Sequence, residues 1–335
     1  MAQIVLGIGT SHGPMLVTDT EIWGTRLPAD RAAIHAWKGE RWSFDELVAA
    51  RADDHLADQI TRAEWDARQA RCQSAIERLA DLFEEARVDV AVIVGNDQME
   101  IFDDRLIPAF AVHYGDTITN YEFPPERLAK LPPGIDVSLP GYIPAGGAEY
   151  RGHPELAGQI IARAMTDDFD VAAMRSLPKP ETPHAYGFVY RRIMRDRPVP
   201  SVMVTINTFY PPNQPSVRRC YAFGKSILRA IDEWKSDARV ALIASGGLTH
   251  FVIDETVDQA FFDALRDRDI ARVADLGEAV FQDGTSEMKN WVPVAGAMAD
   301  LGLSPEIVDY VPCYRSEAGT GNAMAFVAWR QEHGL

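Results

Sequence analysis

The 335-residue sequence is 47% hydrophobic and 24% charged, with 33 Lys and Arg against 49 Asp and Glu, a formal net charge of -16. That composition excludes a disordered chain, and the acidic balance excludes a nucleic-acid surface, which needs clustered Lys and Arg. Cys72, Cys220 and Cys313 form no CxxC and no even framework, so reduced thiols and a cytoplasmic location are expected. The opening MAQIVLGIGTSH lacks a basic n-region and reaches His12 before a signal-peptide core could be completed. No apolar run approaches the ~20 residues of a spanning helix, so no membrane association is expected.

In chain order, IVLGIG (4–9) reads as a first buried strand. Residues 17–61 carry charge, Trp23, Trp37, Trp42 and weak periodicity, and read as a helical insertion. In 62–86, Cys72, Ile76, Leu79 and Phe83 fall on one helical face. VDVAVIVG (88–95) and FAVHYG (110–115) follow as strands. Residues 131–154, dense in Pro and Gly, read as a long loop of the kind that serves as a lid or as a plain connector. FDVAAM (169–174) and SVMVTIN (201–207) are strands, 215–234 is a helix with Cys220, Phe223, Ile227, Ile231 and Trp234 on one face, and ARVALIASGG (238–247) is a strand. The alternation implies one α/β domain over residues 1–335, a sandwich with a central mixed, mostly parallel sheet flanked by helices.

Open α/β sheets bind ligands at the carboxyl ends of their strands, and those ends are polar here. GTSHGP brings His12, GNDQME brings Asn96, Asp97, Gln98 and Glu100, NTFYPPN brings Asn207, Tyr210 and Asn213, and SGGLTHFVIDE brings His250, Asp254 and Glu255. ETPHAYGF adds His184 before a helix. Each has a structural reading: Asp97 as a turn or helix cap, Glu255 as a helix-start acid favoured by the dipole. Together, histidines and carboxylates beside glycines point to the two-His, one-carboxylate pattern of non-haem Fe(II) oxygenases. A GxSxG elbow and a phosphate-binding glycine loop are both absent from the sequence.

GIGTSHGPM, VIVGNDQMEIF, NTFYPPNQPSVRRCYAFG, SGGLTHFVIDETVD, GTSEMKNW and YRSEAGTGNAMAF together resemble the class III (LigB-type) extradiol dioxygenases, the group that opens protocatechuate, gallate and 3-O-methylgallate. Residues 17–61 and 116–152 are the least alike. The resemblance implies a LigB-like fold, Fe(II) as cofactor, and an aromatic small molecule and O2 as reactants. It places the metal slots at His12, at Gln98 where the family has NDH, and at Glu255, one residue before the position counted back from Asp258. Glu100 is the alternative carboxylate for the second slot. It implies His250 as the base and His184 as a second active-site histidine, with Tyr210 and Arg218 toward substrate. A homo-oligomer, a dimer by analogy, is expected, and a small helical partner subunit is known in the family. The altered slots leave a second reading open: a metal-independent lyase, hydrolase or isomerase using His184 and His250 as acid and base on a phenolic or enolisable substrate.

Overall fold

The computed structural model describes residues 1–131 and 134–330. The expected strands form as β1 (Gln3–Thr10), β2 (Val90–Gly95), β3 (Phe110–His113), β4 (Ala172–Met174), β5 (Ser201–Ile206) and β6 (Arg239–Ser245). The sequence reading did not contain the next three, β7 (His250–Val252), β8 (Pro305–Tyr314) and β9 (Thr320–Arg330). All nine join one sheet in the order β7-β9-β1-β6-β2-β5-β3-β4, with β8 also paired to β9. Its middle, β1, β6, β2 and β5, is parallel, with Val92 beside Leu242 on one side and Val202 on the other. β9 runs antiparallel to β1, β7 and β8, and β3 antiparallel to β5. The sheet is therefore mixed and parallel through its centre, as the alternation of strand and helix requires.

Every residue of β2 is buried, the mark of a central parallel strand covered on both faces. Six helices supply the cover: α1 (Arg62–Glu85), α2 (Pro154–Thr166), α3 (His184–Phe188), α4 (Val217–Glu233), α5 (Glu255–Arg266) and α6 (Met288–Asp300). Because side chains alternate along a strand, Val90, Val92 and Val94 pack with α2, α4 and α6, while Ala91 and Ile93 pack with α1 and α3. α1 starts at Thr61, whose hydroxyl accepts from the Glu64 amide, and α4 at Ser216, whose hydroxyl accepts from the Arg219 amide.

The 17–61 segment is only partly helical. A 3-10 stretch (Thr20–Arg26) and short helices (Leu27–Ala32 and Phe44–Ala50) surround a hairpin of Ile34–Trp37 and Glu40–Ser43. Lys38 and Gly39 both have positive φ, 52° and 77°, the pair of values a two-residue hairpin turn demands. Lys at the first position gives no sequence cue to that turn, which is why the hairpin was not anticipated. The segment is pinned from within: the Arg315 guanidinium donates to both oxygens of Asp30 at 2.7 and 2.9 Å, and Thr320 Oγ1 donates to the same carboxylate at 2.8 Å. Both charged partners are buried. In the 131–154 segment, a 3-10 stretch (Asp136–Gly141) precedes a strand (Ala148–Arg151) paired with Thr117–Asn120. Pro132 and Pro133 lie outside the described residues.

Removing one member of a buried ion pair strands the other charge, so Asp30→Ala is expected to cost about 3–5 kcal/mol. Urea unfolding followed by circular dichroism measures it; a loss below about 1 kcal/mol would show that Arg315 finds water or another partner.

Candidate active site

Three parallel strands end at the same edge and deliver the floor of one cavity. His12 follows β1, Asn96, Gln98 and Glu100 follow β2, and Gly247 and His250 follow β6. Glu287, immediately before α6, projects among them. Its Oε2 lies 3.3 Å from His12 Nε2 and 3.6 Å from His250 Nε2, and accepts from the Gly247 amide at 2.9 Å. Its Oε1 accepts from Asn96 Nδ2 and Gln98 Nε2, each at 3.2 Å.

The hydrogen-bond network assigns the imidazole tautomers. Ser245 Oγ donates to the Ala185 carbonyl at 2.6 Å, so it accepts from His12 Nδ1–H at 2.9 Å. His250 Nδ1–H likewise donates to the Leu248 carbonyl at 2.8 Å. Both rings thus turn Nε2 toward Glu287, and His12 Nε2 is buried with no hydrogen-bond partner. The ring of His250 sits in a slot: a Cβ on Gly247 would fall 2.6 Å from it and one on Gly284 2.4 Å. Behind it, Asp258 accepts from the Thr249 amide and hydroxyl and from the Tyr310 hydroxyl, which fixes the turn that carries His250.

A second acid–imidazole pair stands alongside. Glu100 takes the His184 amide on Oε1 and His184 Nδ1 on Oε2, both at 2.9 Å. The His12 and His184 rings meet edge to face with centroids 4.7 Å apart. Burial alone would lower the pKa of His184, but the Glu100 carboxylate outweighs it and raises that pKa to about 9. Burial wins at His12 and lowers its pKa. At His250, Glu287 and the Leu248 carbonyl outweigh burial and raise the pKa. Burial opposes ionisation of Glu287, yet the two facing imidazoles hold its pKa well below the usual carboxylate range. The floor is therefore two carboxylates, Glu287 buried and Glu100 part-buried, each with its own histidine partners. Asp97 takes no part in the floor: it accepts three backbone amides, from Glu100, Ile101 and Phe102, and shapes the turn after β2.

A scan of family descriptions matches residues 60–327 to the catalytic LigB subunit of aromatic ring-opening dioxygenase. The chain belongs to this LigB family. A gallate dioxygenase from Pseudomonas putida is 31% identical over 107 residues, 31% of this chain and 30% of that enzyme. The alignment thus spans less than a third of the curated relative. The crystal structure of an uncharacterized protein from Escherichia coli K12 aligns with 97% of this chain and 99% of its own, at TM-score 0.49 and 14% identity.

Of the residues singled out in the sequence, His12, Gln98, His184 and His250 line the LigB cavity together, with Glu100 beside them. Tyr210 reaches the floor indirectly, its hydroxyl donating to Gln98 Oε1 at 3.2 Å. Two expectations are corrected by the structure. Glu255 starts α5 outside the cavity, and its Oε1 accepts from the Tyr314 hydroxyl at 2.7 Å. Arg218 is exposed near the start of α4, 3.5 Å from Asp275 and away from the cavity. The carboxylate missed by the sequence reading is Glu287. It lies inside GTSEMKNW, a segment whose resemblance was noted, and stands immediately before α6. Asn290 was missed as well: its Nδ2 donates to Asn96 Oδ1 at 2.8 Å and to the Ser245 carbonyl at 3.0 Å, bridging two strand ends.

The donors suit a divalent ion of the Fe(II) type in kind. Imidazoles anchored through Nδ1 and a carboxylate ringed by amides are the usual supports of such a site. Among the described residues no group of three His, Cys, Asp or Glu stands preassembled for a metal.

A methyl group at Gly284 would overlap the His250 ring, so Gly284→Ala is expected to destabilise the fold by about 1–3 kcal/mol. Urea unfolding tests this; a neutral effect would mean that the ring is free to move out of its slot.

Proposed function

We propose that the chain is an Fe(II)-dependent extradiol-type dioxygenase that opens the ring of a catecholic or methoxylated phenolic acid. The observation that carries the reading is the convergence of His12 Nε2 and His250 Nε2 on one oxygen of Glu287, each ring anchored by its Nδ1–H. Family membership over residues 60–327 supports it. His12 and Glu287 would hold the ion, with Gln98 as a neutral amide donor after rotation of its side chain. When bound, Fe(II) supplies Lewis acidity and the redox chemistry that O2 requires.

The protein's own groups divide the proton work. His250 Nε2, its lone pair directed into the cavity, takes the proton of a substrate hydroxyl as general base. Glu287 beside it stabilises the imidazolium that forms. His184, charged through its pairing with Glu100, presents a proton donor on the opposite side of His12. The Tyr210 hydroxyl, which donates to Gln98 Oε1, would release it when that side chain turns toward the ion. The apolar walls exclude water and strengthen each of these electrostatic contacts. The three free, buried cysteines fit a reducing cytoplasmic setting, and no helix among the described residues is long and apolar enough to cross a membrane.

One observation favours a second reading, metal-free proton transfer by His184 and His250: both the Asn96 and Gln98 amide nitrogens already face Glu287. Iron analysis of protein purified without oxygen and loaded with Fe(II), followed by oxygen uptake on catechols and gallates, separates the two. Near one iron per chain with uptake supports the dioxygenase; no retained iron and no uptake sinks it. With that activity in hand, His250→Asn is expected to lower kcat by about 10²–10⁴ while iron content stays unchanged. Gln98→His is expected to tighten Fe(II) binding, measured by competition with a chelator; unchanged affinity would remove position 98 from the metal site.

A further inference from the structure

The cavity is much larger than its floor. Its volume is about 490 Å³, whereas a cavity of about 150 Å³ suffices for benzene. A single-ring acid seated against His250 and Glu287 leaves most of that space unfilled. The remaining space has its own chemistry. Ile22 and Trp23 wall it from the 17–61 segment, and Phe123, Leu131 and Leu139 from the loops after β3. Ile22 and Trp23 lie outside the residues matched to the LigB family, whereas Phe123, Leu131 and Leu139 lie inside them.

The upper wall also carries cations. Arg127 stacks on the Phe123 ring at 4.0 Å, pairs with Glu181 and donates to the Glu100 carbonyl at 3.1 Å, so it is committed to holding the wall together. Lys130, one helical turn on, is exposed and lines the same cavity. No ion pair of its ammonium is formed among the described residues. In a chain of net charge -16, a lysine at the mouth of the acidic floor is placed to receive an anion from a ligand.

We infer that the substrate is an elongated phenolic carboxylate: a phenolic ring on the His250–Glu287 floor, a second ring or equally large apolar group between Trp23, Phe123 and Leu139, and a carboxylate at Lys130. The inference rests on the ring-opening reading for the chemistry of the first ring, and on the cavity alone for the rest.

The test measures binding without turnover. Two monophenols, neither with vicinal hydroxyls to be opened, are titrated calorimetrically into the full chain with and without added Fe(II): 4-hydroxybenzoate and 4'-hydroxybiphenyl-4-carboxylate. The two-ring acid is expected to bind at least tenfold more tightly. Leu139→Trp, or Ile22→Trp should the first fail to fold, is expected to erase that preference and leave single-ring binding unchanged. Lys130→Glu is expected to weaken the two-ring acid while sparing its neutral alcohol analogue. Equal affinity of wild-type protein for the two acids overturns the inference, as does a Trp substitution that weakens both alike. The oxygen-uptake result is independent: two-ring preference without uptake on any catechol leaves the shape of the substrate standing and removes the ring-opening chemistry.

Discussion

The organising constraint of this molecule is a carboxylate taken out of water. Glu287 is only 3% exposed, and an unpaired buried charge costs several kcal/mol even after local relaxation. The fold meets that cost with contacts from three strand ends at once: Asn96 and Gln98 after β2, His12 after β1, and Gly247 and His250 after β6. None of these segments is adjacent to another in sequence. They meet because β1, β6 and β2 are neighbours running in the same direction, so their carboxyl ends share one edge. Trp291 and Asn290 of α6 then lock the carboxylate's own backbone, the indole N–H donating to the Gly246 carbonyl at 2.8 Å and the amide bridging Asn96 and Ser245.

Against that constraint, the polar side chains of the loop after β2 are coherent. Gln98 offers an amide whose nitrogen satisfies Glu287 and whose oxygen accepts from Tyr210. Two residues on, Glu100 brings a second negative charge, which His184 neutralises through both its backbone and its ring. Glu287 thus has an amide as its neighbour on this side, with a separate ion pair, Glu100–His184, beside it. The loop after β2 therefore carries both groups, and Asp97 holds that loop's turn by its three backbone contacts.

The strands at the core of the sheet were legible because their runs of Val, Ile and Ala leave no other low-energy place for them. β8 and β9 were not: PEIVDYVPCY and TGNAMAFVAWR mix Pro, Gly and polar residues, and their strand state is set by pairing with each other and with β1, a tertiary effect. Four floor residues, His12, Gln98, His184 and His250, were readable as polar groups at strand or helix ends. Glu287 was not, since nothing local separates an acid before a helix from the many that merely favour a helix dipole. Glu255 illustrates the converse. It occupies such a position, was assigned to the metal, and serves Tyr314 instead. Arg218 was placed by resemblance alone, and the helical phase of α4 turns it to solvent.

The Asp30–Arg315 pair also decides how a ligand arrives. Arg315 lines the cavity from the β8–β9 connection while its guanidinium grips the segment that carries Ile22 and Trp23. For that wall to swing aside, two charges would have to part in a place shielded from water, and on the side where Lys130 stands Arg127 is tied to the buried Glu181 in the same way. Both ends of the cavity wall are therefore a fixed frame, through which the elongated acid inferred above would thread ring first and charge last.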